Sequence, residues 1–247
     1  AGMPITISRR YDSLERGKSS DFGYGWSLAT SVRLEVNKKN DVTFTLNGRR
    51  QTFKFAPQSF GFPFTFFLQP KWRPEAGAYG TLTAESCGLL ILSQGQFTCF
   101  LDVLGGGFHP TSYTYTDPYG RQFVLGPDGE MKLVKDLSGN TLTFTHDGIV
   151  SSASGITVPF IRDAQDRITK IVDPAGNSYD YSYNSLGDLT SVQLPAIANP
   201  VQYEYAAGHF LNKEIDPRGG STSATYYADG RLQSETDRMN NTVQFAY

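Results

Sequence analysis

The 247-residue chain holds 24 Asp and Glu, 22 Lys and Arg, three His and two Cys. Two carboxylates about 5–10 Å apart can do general acid–base work on a glycosidic bond, so the acidic residues come first. Nearly every Asp falls in a short cluster with Gly, Pro, Ser or Asn. Examples are Asp117-Pro118-Tyr119-Gly120, Asp173-Pro174-Ala175-Gly176, Asp216-Pro217-Arg218-Gly219 and Ala228-Asp229-Gly230. Gly there supplies positive φ, Pro presets φ, and Asp bonds its own backbone. The carboxylates are therefore assigned to turns rather than to catalysis. His109, His146 and His209 stand alone, and no Cys-x-x-Cys exists, so no metal spacing is present. No Gly-x-Ser-x-Gly elbow occurs. Gly23-x-Gly25 and Gly105-Gly106-Gly107 open no helix that could cradle phosphate. The expectation is no enzyme, no cofactor and no metal dependence.

Cys87 and Cys99 flank an apolar hairpin-like stretch. They face each other if the turn centres on Ser93. If the loop is Gln94-Gly95, Cys99 faces Leu90 instead. The bridge stays open on sequence, because distance and Cβ direction decide it. Trp26, Trp72, Tyr179, Tyr181 and Tyr203 could stack on sugar rings. Cross-strand aromatic packing is the weightier reading, stabilising antiparallel pairs by roughly 0.2–1 kcal/mol each.

The elements that position these residues are short. Turn clusters recur through the second half, most of them 9 to 11 residues apart, the length of a strand of about five or six residues plus a turn. Between them apolar and polar residues alternate: Ile168, Lys170 and Val172 are expected on one face, as are Tyr179, Tyr181 and Tyr183. Residues 166–191 recur at 209–234 with an offset of 43. Asp173 and Gly176 match Asp216 and Gly219; Tyr183, Gly187 and Leu189 match Tyr226, Gly230 and Leu232. A fixed period of this size marks a repeat array, whose units bury their apolar faces only against neighbours.

The repeat resembles a known family. Tyr181-Ser182-Tyr183-Asn184-Ser185-Leu186-Gly187-Asp188-Leu189 is similar to the Y-x-Y-D-x-x-G-R-L core of the tyrosine–aspartate (YD) repeat. The segment from Tyr226 through Gly230, Arg231 and Leu232 keeps Tyr, Gly, Arg and Leu. Tyr203-Glu204-Tyr205-Ala206-Ala207-Gly208 resembles the core with the Asp deleted. Tyr11-Asp12-Ser13-Leu14 and Phe22-Gly23-Tyr24-Gly25-Trp26-Ser27 resemble the segment that precedes the array in Rhs-type shell proteins. The resemblance implies a shell wall that encloses a toxic polypeptide or presents a surface domain. Its Asp-Pro-x-Gly-Leu autoproteolysis motif does not carry over, because Asn177 and Gly220 stand where Leu would be.

The fold expected is all-β: a curved antiparallel sheet of YD-repeat hairpins, a partial shell or spiral, with little or no helix. An N-terminal β region is placed at 1–110 and the repeat array at 111–247. Val42–Leu46 and Arg49–Phe55 read as a hairpin about Asn47-Gly48, with Phe44 facing Gln51 and Val42 facing Phe53. Phe60, Phe62, Phe64 and Phe66 recur at period 2, and residues 69–77 read as a long loop. Net charge is −2 with signs interspersed, which argues against a nucleic-acid partner. No run of 18 apolar residues suggests membrane insertion, and no signal peptide is evident. The expected role is scaffolding within a secreted or cell-surface parent, as one piece of a longer chain. Partners would be the rest of the shell or an enclosed polypeptide. Copies could also associate through the uncharged edge at Val243–Tyr247. The alternative is an extracellular module that binds glycan or a partner protein.

Overall fold

The computed structural model describes residues 3–28, 32–46, 48–59, 66–101, 107–153 and 155–247. The described residues contain strands and turns and no helix. Thr81–Glu85 and the strands from Ser112–Thr116 to Thr242–Gln244 form one antiparallel order of 15 strands, not closed into a barrel. The chain divides into two compact units: residues 1–5, 30–145 and 150–155, and residues 6–29, 146–149 and 156–247. The division does not fall at residue 110, where the turn spacing changes.

In the first unit, Trp72–Pro74, Arg49–Phe55, Val42–Leu46 and Arg33–Val36 make a four-stranded sheet. Phe44 lies opposite Gln51 and Val42 opposite Phe53, as the hairpin reading expects. Asn47 lies outside the described residues. Phe44 and Phe53 stack and both meet the Tyr115 ring edge-on at 5.1 and 5.9 Å, joining one core with Leu82, Leu90, Tyr113 and Leu125. Burial pushes the Tyr113 phenol up to about 12. The segment 69–77 is not all loop: Trp72–Pro74 pairs with Phe53–Phe55. Trp72 is drawn in by Phe55 and Phe108 and donates its Nε1–H to the Asn40 carbonyl at 3.0 Å. Phe60, Phe62 and Phe64 lie outside the described residues. Phe66 is exposed, its ring against Phe67.

Cys87 and Cys99 are bonded, with Cα atoms 5.7 Å apart. The loop is nonetheless the two-residue Gln94-Gly95, since Ser93 pairs with Gln96 and Cys99 with Leu90. Cys87 precedes the strand and reaches Cys99 from outside the ladder.

The second unit holds the main array, nine strands from Thr157–Arg162 to Thr242–Gln244 in sequence order. Seven turns between residues 117 and 241, the first two of them in the first unit, share one wiring. In the turns that start at Asp117, Asp136, Asp163, Asp173, Asn184, Asp216 and Asp237, the first side chain accepts the N–H groups of the residues two and four further on, at 2.7–3.1 Å. Two of the seven lack Gly at the left-handed position; Asp166 (φ 67°) and Asn240 (φ 65°) stand there, the residue types that tolerate it best.

The strands do not alternate simply. Thr169, Thr190, Asn212 and Gln233 are each left unpaired by a register shift. Such a bulge changes the side-chain parity by one. Ile168 and Ile171 are therefore the buried pair (0% and 3% exposed), and Leu189 and Val192 the next (0% and 1%). This corrects the expected Ile168, Lys170, Val172 face. Thr169 and Thr190 each donate a hydroxyl to a cross-strand carbonyl, of Ile161 at 3.1 Å and Ser182 at 3.0 Å.

Candidate functional site

Within the second unit the segment 6–28 lies against the repeat strands. Its own backbone is a small scaffold: Arg9–Tyr11 pairs with Trp26–Leu28, and Ser19–Ser20 with Gly23–Tyr24. Gly23 (φ 83°) is required on two counts, since a Cβ there would also run into the Gly187 carbonyl oxygen.

Phe22 is fully buried, its ring 4.9 Å from Tyr181. The Arg9 guanidinium sits among four rings, at 5.9 Å from Phe22, 5.6 Å from Trp26, 5.2 Å from Tyr181 and 5.8 Å from Tyr203. It donates to the Tyr203 hydroxyl at 3.1 Å. A guanidinium over aromatic faces is attracted by their quadrupoles, more strongly when desolvated. Burial raises the phenol pKa of Tyr181 and Tyr203, which keeps both neutral beside the cation. Trp26 donates its indole N–H to the Tyr205 hydroxyl at 2.8 Å. Tyr11 donates to the His209 carbonyl at 2.6 Å and accepts the Leu211 N–H at 3.1 Å. Asp21 accepts from Arg162 at 2.7 Å, and its carbonyl takes the Ile168 N–H.

The arrangement nearest to catalytic chemistry is Asp188 with His209. The buried Asp188 carboxylate is 2.6 Å from His209 Nδ1 and also accepts from Asn184. A carboxylate that orients an imidazole is half of a nucleophile-activating triad. Here the ring stacks on Tyr24 at 3.9 Å, with planes 17° apart. Among the described residues no hydroxyl or thiol is hydrogen-bonded to the His209 ring. The pair clamps the N-terminal segment. His146 contacts two carboxylates, Asp147 at 2.7 Å and Asp166 at 2.6 Å. Those hydrogen bonds hold its pKa above the usual imidazole value. Among the described residues no cluster of His, Cys, Asp or Glu has the geometry of a metal site.

The repeat-motif residues are structural. Asp173 and Asp216 wire their turns, and Gly176, Gly187, Gly219 and Gly230 have φ of 85°, 90°, 87° and 96°. Tyr183 and Tyr226, 43 residues apart, donate their hydroxyls to the Ile168 and Leu211 carbonyls. Leu189 is buried; Leu232 is half-buried. Arg231 binds Asp229, which takes over from the Asp absent at Tyr227. Of the aromatic platforms, Trp26, Trp72, Tyr181 and Tyr203 are buried by packing, the weightier of the two readings. Sequence reasoning missed Arg9, Asp21, Asp188 and His209 as a seat. One signal was available: His209 occupies a turn position between Gly187 and Gly230.

Residues 162–196 match the RHS Repeat family, and residues 1–53 match a domain of unknown function, DUF6531. No curated protein matches the chain. Similar solved structures include the crystal structure of TcdB2-TccC3-TEV, at 11% identity, covering 84% of this chain and 15% of that one, with a TM-score of 0.32. TcdB2-TccC3-Cdc42 has 11% identity, 83% and 12% coverage, and a TM-score of 0.31. The chain thus spans less than a fifth of either.

Proposed function

We propose, from the RHS Repeat match over residues 162–196, that the chain is a β-repeat scaffold that forms part of the wall of a larger shell. The wall encloses a toxic polypeptide or presents a surface domain, and the parent protein acts outside the cell or at its surface. The observation that carries this reading is the bulged register repeated at Thr169, Thr190, Asn212 and Gln233, spaced 21, 22 and 21 residues apart. A register fixed at each step makes strand addition open-ended, since every unit is completed by the next. The Cys87–Cys99 bridge supports an oxidising compartment. The partners proposed are further repeats of the same wall and the enclosed polypeptide. The role proposed for the segment 6–28 is to lock the turns of the array that it contacts, from Arg162 to Gly230. Cryo-electron microscopy of the natural gene product tests the reading. A β-wall around internal density is expected; an open sheet with no lumen would overturn enclosure.

A further inference from the structure

The first unit contains a cavity of about 360 Å³ that the scaffold role does not use. Arg49, Gln51, Tyr79, Tyr115, Tyr119 and Arg121 supply its polar and aromatic lining. Its volume falls at the lower end of ligand pockets, about 300–1,000 Å³. Two tyrosine rings stand in solvent, Tyr79 at 58% and Tyr119 at 74% exposed. Neither is loose. The Tyr79 N–H is held by Gln51 Oε1 at 3.1 Å and the Tyr119 N–H by Asp117 Oδ1 at 2.9 Å. Gln51 and Asp117 are themselves buried. Each Tyr precedes a glycine at positive φ, Gly80 and Gly120. Tyr119 is the third residue of the standard turn, and among the described turns of that type no other carries an aromatic residue there. The turn does not need a ring at that position; the Arg121 guanidinium lies 6.0 Å from the ring centre, and most of the ring stands open to a ligand.

The polar groups are one-sided. The Arg49 guanidinium makes no hydrogen bond or ion pair among the described residues. Gln51 is 6% exposed and uses its oxygen on Tyr79, while its amide nitrogen has no partner among the described residues. The carboxylate, Asp117, is taken up by Arg121 at 2.8 Å and by two backbone N–H groups. A neutral sugar asks for acceptors as well as donors. This site offers free N–H donors and positive charge beside flat rings. From this we infer a binding site for an acidic saccharide: Tyr79 and Tyr119 take the apolar sugar faces, while Arg49 and the Gln51 amide take the carboxylate. Charged N–H donors suit a carboxylate acceptor, and rings fixed in advance reduce the ordering cost of binding.

Calorimetric titration of the whole chain tests this, with trigalacturonate, its methyl ester and inorganic phosphate as probes. Trigalacturonate should bind saturably at one site, with the ester at least about tenfold weaker. Tyr119→Ala and Arg49→Gln should each weaken binding at least about tenfold with unchanged thermal unfolding. Both side chains are exposed, so either variant serves alone if the other fails to fold. Absence of saturation at millimolar ligand, equal binding of the ester, or binding that both variants leave intact would each overturn the assignment. Phosphate bound as tightly as the saccharide would overturn it too, in favour of a bare anion site.

Discussion

Tyr183→Phe and Tyr226→Phe make a matched pair, because the repeat places the same hydroxyl in the same bond twice. Tyr183 donates to the Ile168 carbonyl at 2.5 Å and Tyr226 to the Leu211 carbonyl at 2.7 Å. Phe keeps each ring contact, including Arg167 over Tyr183 at 4.3 Å and the Phe210 stack on Tyr226 at 4.9 Å. The substitution therefore isolates the O–H. A net hydrogen bond contributes about 0.5–1.5 kcal/mol, and an acceptor left buried without a partner costs about 1–3 kcal/mol. Ile168 is fully buried, while Leu211 is only half-buried, so water can replace the lost donor at Leu211 more readily. The expected losses are about 2 kcal/mol for Tyr183→Phe and about 1 kcal/mol for Tyr226→Phe. For a chain of this size these become roughly 4–8 °C and 2–4 °C in Tm. The two units need not unfold together, so the probe must report on the second. The chain has two tryptophans, and a Trp72→Phe background leaves Trp26 as the reporter of the repeat unit. The sites share no partner, so their effects should add within about 0.5 kcal/mol. Equal losses, or a larger loss at Tyr226, would refute the link between acceptor burial and cost.

Gly187→Ala and Gly230→Ala should each destabilise by about 1 kcal/mol or more by urea unfolding, because Ala resists positive φ. The added Cβ would also press on the Tyr24 ring at one site and the Arg16 guanidinium at the other. Asn amide hydrogen bonds first, then backbone N–H groups, hold the Asp136, Asp173 and Asp237 carboxyls below their usual value of 3.8. A depressed folded-state pKa adds stability above 3.8 that is lost as pH falls through the folded value. An acid titration followed by circular dichroism should therefore steepen below that point, and Asp173→Asn should flatten it. Among the described residues the strand Thr242–Gln244 pairs only with Leu232–Thr236, and it is exposed throughout. An unpaired edge templates further strands, so light scattering should show concentration-dependent association that Val243→Lys suppresses.

The sequence made the turns and the hairpin about Gly48 legible, because Asp, Pro and Gly act locally and each has one mechanism. It concealed the bulges. Thr169 and Thr190 are ordinary strand residues in composition; only the buried pairs Ile168 with Ile171 and Leu189 with Val192 reveal the shift, and a period-2 reading assigns those pairs to opposite faces. The turns at Asp163 and Asp237 were missed for a related reason, since Asp166 and Asn240 adopt φ of 67° and 65° without being glycine. The disulfide could not be read because Cys87 lies outside the ladder that register arguments describe. Trp26, Tyr181 and Tyr203 were legible as aromatic rows but not as a cage, because Arg9 arrives from nearly 200 positions away.

That long-range seat bears on a problem any repeat array faces. Identical units offer a docking segment identical places to bind, so the register of segment 6–28 would be undetermined. The contacts fall on three alternate turns, those at residues 187, 209 and 230. Gly23 and Tyr24 meet Gly187, Tyr24 stacks on His209, and Arg16 meets Gly230. Gly187 and Gly230 belong to the repeat; His209 does not. A His at φ 64° is unfavourable in the left-handed region and persists only where surrounding contacts over-determine it. Those contacts are the Tyr24 ring, the buried Asp188 carboxylate and the Tyr11 hydroxyl on its carbonyl. Shifting the segment by one unit would place Tyr24 over a glycine and forfeit both its ring stack on His209 and the Tyr11 hydroxyl on the His209 carbonyl. The departure from the repeat at His209 therefore selects the docking register that the repeat leaves undetermined.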